Sequence, residues 1–428
     1  MRGPLARSSI RTAILLCLRV GTQAVTLIFL TRLLVPTTYG SYAAAASLAV
    51  VLGTIPSLGS GYILLARAST NRASVADTWR YAWPLTLALG ALLIAIYVYI
   101  GWYVTRSAPV SLSVLFCIGI TELLLNPLIM LLSFIMQGCE QVATSQFLQW
   151  LPLLLRAFAA LICLDLAMPA RLPGYAVLQL LASLVGIGVA LVVTKRHVNL
   201  AGHPRWITSE ELRVGSSYAA MYLVAYNPSE LDKIVAVRSL GAYDAGIYAS
   251  ASRMLSAFAM PMSALLLAAQ PRLFRHSEST HLQNKQLIGV IALVAVAWGL
   301  SGAGLFAFCH QMIPRLLGSA YAETGQLVPW MAITMPFLTL RLAAGGILVA
   351  FGRPLERLLF ELSGALILTM GIVFITPKLH TLGLILAVIA SELSMALIGW
   401  WRIKQNLKYF DRTFAMSGSN DAEQKDSP

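Results

Sequence analysis

The chain has 428 residues, 58% of them hydrophobic and only 11% charged, with a formal net charge of +13. Soluble domains carry about a quarter charged residues, so this composition excludes a water-soluble globular fold. The basic excess lies between apolar segments rather than on one face, which is not the footprint of a nucleic-acid binder.

A helix needs about 20 apolar residues to cross the hydrocarbon core of a bilayer. Twelve such stretches are predicted, at 12–34, 42–65, 81–104, 110–136, 143–166, 172–194, 214–238, 243–268, 286–309, 326–351, 356–376 and 382–401. The first follows Arg2, Arg7 and Arg11, as the core of a signal peptide would. It is longer than such a core and contains Arg19 and Gln23, so it reads as a span. Arg19, Thr22, Gln23 and Thr26 share one face of that helix. In the fourth span Glu122 and Asn126 lie one turn apart, with Pro127 next to them. The fifth span carries Arg156 near its middle. The seventh holds Asn227-Pro228, where a proline predicts a kink, and ends on Asp232-Lys233. Ser250, Arg253 and Ser256 share a face of the eighth span. Thr334, Pro336 and Arg341 belong to the tenth, and Glu392 stands near the centre of the twelfth. The tail from Thr413 to Pro428 is polar and reads as disordered.

The positive-inside rule tests this frame. With both termini cytoplasmic, 20 of the 31 Lys and Arg fall on inner segments, seven on outer ones and four within spans. The bias alternates loop by loop and supports both the count and the direction.

Two segments 206 residues apart share a pattern. Arg32, Leu34, Gly40, Tyr42, Ala43 and Ala45 recur as Arg238, Leu240, Gly246, Tyr248, Ala249 and Ala251. Each links the first and second spans of a six-span half. The expectation is an all-α membrane protein with two parallel-oriented six-helix bundles around a central cavity, because substrate sites lie between such repeats. The bundles cover 1–196 and 214–412, joined by a cytoplasmic linker at 197–213 and followed by the tail at 413–428. Gly40 and Gly246 suit a close helix approach, and Tyr42 and Tyr248 are expected at the outer interface.

A basic group at a span centre costs about 2.5–3.5 kcal/mol on insertion scales. Arg19, Arg156, Arg253 and Arg341 therefore need a wet cavity or carboxylate partners. As cavity residues they would hold an anion, because arginine binds phosphate through a planar two-pronged fork and keeps its charge. As structural residues, Arg156 and Arg341 would pair with Glu122, Glu392 or Glu361. Glu122 and Glu392 are candidates either for such pairing or for an ion-coupling site. Asp232 and Lys233 suit an outer gate or a local ion pair. The cysteines show no CxxC, the histidines have no ligand spacing, and there is no P-loop, nucleophile elbow or hydrolase triad. No metal or cofactor is expected, and no covalent chemistry.

The Gly-x-Tyr-Ala-x-Ala segment after the first span resembles the polysaccharide and O-antigen flippases of the multidrug/oligosaccharidyl-lipid/polysaccharide exporter superfamily. Gln137-Gly138-Cys139-Glu140, Asp232-Lys233, Leu240-Gly241 with Gly246-x-Tyr248, and Phe351-Gly352-Arg353 agree with it, in order along the chain. The resemblance implies a two-bundle alternating-access transporter in the bacterial inner membrane. Its implied substrate is an undecaprenyl-pyrophosphate-linked oligosaccharide destined for surface polysaccharide, O-antigen or lipopolysaccharide. Membrane lipids and a polysaccharide polymerase are the implied partners. Arginines on the first and eighth helices line the cavity in the related lipid II flippases, which makes Arg19 and Arg253 the foremost substrate candidates, with Gln23 beside them. The alternative is an ion-coupled multidrug-type antiporter, whose cationic substrates would call for carboxylates and aromatics.

Overall fold

The computed structural model describes the backbone of residues 4–226, 228–275, 281–351 and 353–425. Asn227 and Gly352, singled out above, lie outside the described residues. Within them every regular element is helical. The described residues form twelve rods. The first is α1 (Pro4–Leu33), and the second is broken into α2 (Pro36–Leu52) and α3 (Ser60–Thr70). Then come α4 (Val75–Val104), α5 (Leu112–Gly119) continued by α6 (Asn126–Gly138), α7 (Val142–Ile162) and α8 (Met168–Lys195). The second half starts with α9 (Ser209–Tyr226) and α10 (Pro228–Leu240), then α11 (Ala242–Arg275) and α12 (His281–Cys309). After the short α13 (Ile313–Leu317), α14 (Ala322–Ala332) and α15 (Met335–Ala350) form one bent rod. It is followed by α16 (Pro354–Phe374) and α17 (Thr376–Lys425). α17 takes in residues 413–425 of the segment read above as a polar tail.

Among the described residues eight helices are long and apolar enough to cross a membrane by themselves, and nine if the α14–α15 pair, bent by 58°, is one span. The α2–α3 rod does not pass, because its two helices are short and parted by residues 53–59. Its first helix, α2, packs against both α10 and α11, where the two halves of the chain meet. Helices shielded from lipid by protein tolerate breaks and charges that lipid-facing helices do not.

The breaks have local causes. Between α2 and α3, Leu58 (φ 42°) and Gly59 (φ 67°) take left-handed backbone. The fourth rod changes pitch through a π-helical turn at Ile120–Leu125, after which Pro127 stands in the first turn of α6. Pro336 holds the same place in α15. Proline lacks an N–H and is tolerated there, so both expected prolines mark the restart of a broken rod.

The 206-residue repeat has a geometric counterpart. A Cβ placed on Gly40 would lie 2.1 Å from the Ala242 carbonyl oxygen, and one on Gly246 would lie 2.0 Å from that of Pro36. Pro36 and Ala242 are themselves 206 residues apart, so the contact is reciprocal, as about a two-fold axis. Small residues near the contact are buried on both helices, Ala43, Ala44 and Ala45 on α2 and Ala245 and Ala249 on α11. In lipid no hydrophobic force draws helices together, and small residues let backbones pack closely. Tyr42 and Tyr248 depart from their expected interfacial place. Both are buried, because their hydroxyls are taken up inside the bundle, by Gln179 at 3.4 Å and Asp232 at 2.5 Å.

The linker between the halves packs on the start of α4. Val198 and Leu200 are buried in it beside Val75 and Trp79. The Arg205 amide donates to the Arg80 carbonyl at 3.1 Å, and its guanidinium grips Glu211 at 2.9 and 2.5 Å. Burial pushes the Glu211 carboxyl up, but the bonds from Arg205 and Thr208 outweigh it and hold the carboxyl at about 2, against an ordinary 4.5. A carboxyl lowered in the folded state lends stability above its ordinary pKa and loses it as pH falls toward the folded value. Hydrogen exchange at the Arg205 amide is therefore expected to accelerate as pH drops from about 4.5 to about 2, beyond the intrinsic trend. Glu211→Gln should remove that excess. An unchanged profile would count against the clasp.

Candidate functional site

A cavity of about 310 Å³ opens among α1, the α2–α3 break, the α5–α6 rod and α7, with one residue, Glu230, reaching it from α10 of the other half. The broken rods create it. Unwinding between α2 and α3 withdraws the second rod at Gly53 to Gly59, and the π-helical turn carries Glu122. Such single-turn bulges recur at functional sites because they re-aim one side chain out of helical register.

Arg19 and Gln23 line the cavity from α1. The Arg19 guanidinium donates to Gln149 Oε1 at 2.9 Å, a neutral acceptor on α7. Arg156, also on α7, lines the same space. It donates to Glu122 Oε1 at 2.7 Å and to Ser183 Oγ at 3.0 Å. Asn126 donates to the other Glu122 oxygen at 3.0 Å, and Gln179 to the first at 3.4 Å. The carboxylate is thus enclosed by donors, as a buried charge must be. Arg253 approaches from the C-terminal half, where its two terminal nitrogens meet both oxygens of Glu230 at 3.1 and 2.9 Å.

Two predicted arginines therefore line the cavity, and a third borders it through a carboxylate. Arg341 lies elsewhere. It is buried in the C-terminal half, 2.7 Å from Glu392 and 4.0 Å from Glu361, which Arg357 also holds at 3.0 Å. Glu392 and Asp232 border a small pocket of about 50 Å³ with Tyr248 and Thr334. Asp232 and Lys233 form a buried pair at 3.2 Å, and Tyr248 donates to the other Asp232 oxygen. Among the described residues no group of three His, Cys, Asp or Glu is placed to hold a metal ion.

Glu230 was not singled out from the sequence, nor were Ser47 and Gln149. The available signal was the spacing of Glu230 and Lys233 at i and i+3 in a span otherwise meant for lipid. Its importance depends on α2, which supplies Ser47 Oγ at 2.5 Å from a Glu230 oxygen.

The profile of a family described as "Polysaccharide biosynthesis protein" matches residues 5–277. No curated protein matches the chain. Solved structures share the fold at low identity. One is the inward-facing form of a multidrug resistance MATE family transporter of the MOP superfamily, with a TM-score of 0.71 and 14% identity over 93% of this chain and 95% of that one. An outward-facing form of such a transporter gives 0.66 and 13% over 96% and 98%. A MOP superfamily transporter from Pyrococcus furiosus Vc1, described as having a binding pocket of reverse polarity that suggests a different function, gives 0.64 and 15% over 95% and 97%.

Proposed function

From the premise that the chain belongs to the polysaccharide biosynthesis protein family, we propose that it is a flippase for an undecaprenyl-pyrophosphate-linked oligosaccharide. It works in the bacterial inner membrane with both termini in the cytoplasm. The head group enters the cavity, the polyprenyl tail stays in lipid, and rocking of the halves about the α2–α11 contact re-exposes the head group outside. A surface-polysaccharide polymerase then uses the product. The protein performs no covalent chemistry.

One observation carries the choice of an anionic substrate over the cations of a multidrug antiporter. Both carboxylates at the cavity are already committed to basic groups, Glu122 to Arg156 and Glu230 to Arg253 and Lys233. A cationic drug would find no available carboxylate, whereas an arginine fork can pass from a carboxylate to a phosphate. Arg19 lines the same cavity from α1 and donates to the Gln149 side-chain oxygen at 2.9 Å.

A deletion strain is the decisive test. It is expected to accumulate a polyprenyl-pyrophosphate-linked oligosaccharide on the cytoplasmic leaflet, and its sugar composition identifies the substrate. A strain that accumulates none, with surface polysaccharide intact, would contradict the assignment.

A further inference from the structure

The Glu230 carboxylate belongs to α10 but is shared between the halves. Arg253 of α11 donates to both its oxygens at 3.1 and 2.9 Å, and Lys233 stands 3.9 Å away, all within the C-terminal half. The fourth contact crosses over, from Ser47 Oγ of α2 at 2.5 Å. The Glu230 side chain is 12% exposed and lines the cavity, whereas Arg253 is 37% exposed. One edge of the Arg253 guanidinium is thus closed by a resident anion while part of the side chain remains open.

We propose that Glu230 is a built-in stand-in for the substrate's pyrophosphate, and that its displacement from Arg253 unfastens the two halves. The proposal rests on the anionic-substrate reading above. A phosphate presents two oxygens at the spacing of a carboxylate, so it takes the same edge of the fork. Two anions cannot share that edge, because like charges in a low-dielectric site repel strongly. Glu230 retreats toward Lys233, inside its own half, and Ser47 loses its acceptor across the interface. Substrate binding is thereby tied to release of one half from the other. A ligand shifts a conformational equilibrium only through differential contacts in the two states, and this exchange supplies one. It also sets a cost on binding, because the latched form must open before the fork is available.

Titration of the full-length protein in detergent with inorganic pyrophosphate, followed by calorimetry, tests this. Glu230→Gln keeps the shape but removes the competing charge, and should tighten binding about tenfold. Ser47→Ala removes only the bond between halves and should tighten it about threefold. The double variant should gain no more than Glu230→Gln alone, since both release one latch. Arg253→Ala should abolish binding with or without Glu230→Gln.

If wild-type binding depends on Arg253 yet neither Glu230→Gln nor Ser47→Ala tightens it, the latch is overturned and the flippase reading stands. If no variant shows Arg253-dependent binding, the anionic-substrate reading falls and the latch with it. Should Glu230→Gln fail to accumulate, Ser47→Ala carries the test, since it deletes a single hydroxyl.

Discussion

Arg253→Ala and Arg19→Ala are each expected to abolish surface polysaccharide while the protein inserts in the membrane at wild-type abundance. Insertion should not suffer, because an arginine at a span centre costs about 2.5–3.5 kcal/mol on insertion scales and alanine removes that cost. Arg19→Ala gives up the 2.9 Å bond to the neutral Gln149 amide. Arg253→Ala leaves Glu230 with Ser47 and with Lys233 at 3.9 Å, so the carboxylate keeps partners. What both lose is the two-pronged contact to phosphate. Arg253→Lys should retain only partial export, because a lysine keeps the charge without the fork. Export is read from surface polysaccharide in a deletion strain, and abundance from membrane immunoblots. Full export by both alanine variants would remove these arginines from the substrate path.

Glu122→Ala should be the most destabilising single change at the cavity, by about 3–5 kcal/mol, the cost of leaving one member of a buried ion pair alone. Arg156 would keep Ser183 at 3.0 Å but lose the 2.7 Å carboxylate, with Asn126 and Gln179 losing an acceptor as well. Replacing both partners, as Glu122→Leu with Arg156→Met, should recover most of that loss, since well-packed apolar groups substitute for buried pairs at little cost. Denaturant or thermal unfolding in micelles gives the stability. Export by the same double variant separates the two roles of Arg156. Restored stability with lost export makes it a substrate contact, whereas restored export makes it a bundle cement.

The architecture was legible because it is written locally and linearly. Apolar runs of span length, the alternation of basic residues and the 206-residue recurrence of Gly40 and Tyr42 can each be read without knowing what touches what. They yielded twelve rods in order and two equivalent halves, and the reciprocal contact of Gly40 and Gly246 gives the repeat its axis. The arginines were legible as well, since a charge in an apolar run stands out wherever it packs.

Their partners were legible only in part. Glu122, Glu392 and Glu361 stood out as a set for Arg156 and Arg341, without saying which meets which. The partners of Arg19 and Arg253 did not stand out at all. Arg156 finds Glu122 across 34 residues, Arg341 finds Glu392 across 51, Arg19 finds Gln149 across 130, and Ser47 finds Glu230 across 183. Each pairing depends on how neighbouring rods rotate and where they break. A π-helical turn at Ile120–Leu125 or left-handed backbone at Leu58 and Gly59 re-aims side chains by a fraction of a turn, which helical periodicity does not encode. Composition and spacing by themselves determined that this chain spans the membrane as two like halves with charges inside. Only the tertiary structure decided which charges meet, because in lipid an ion pair is chosen by the faces that helices turn toward one another.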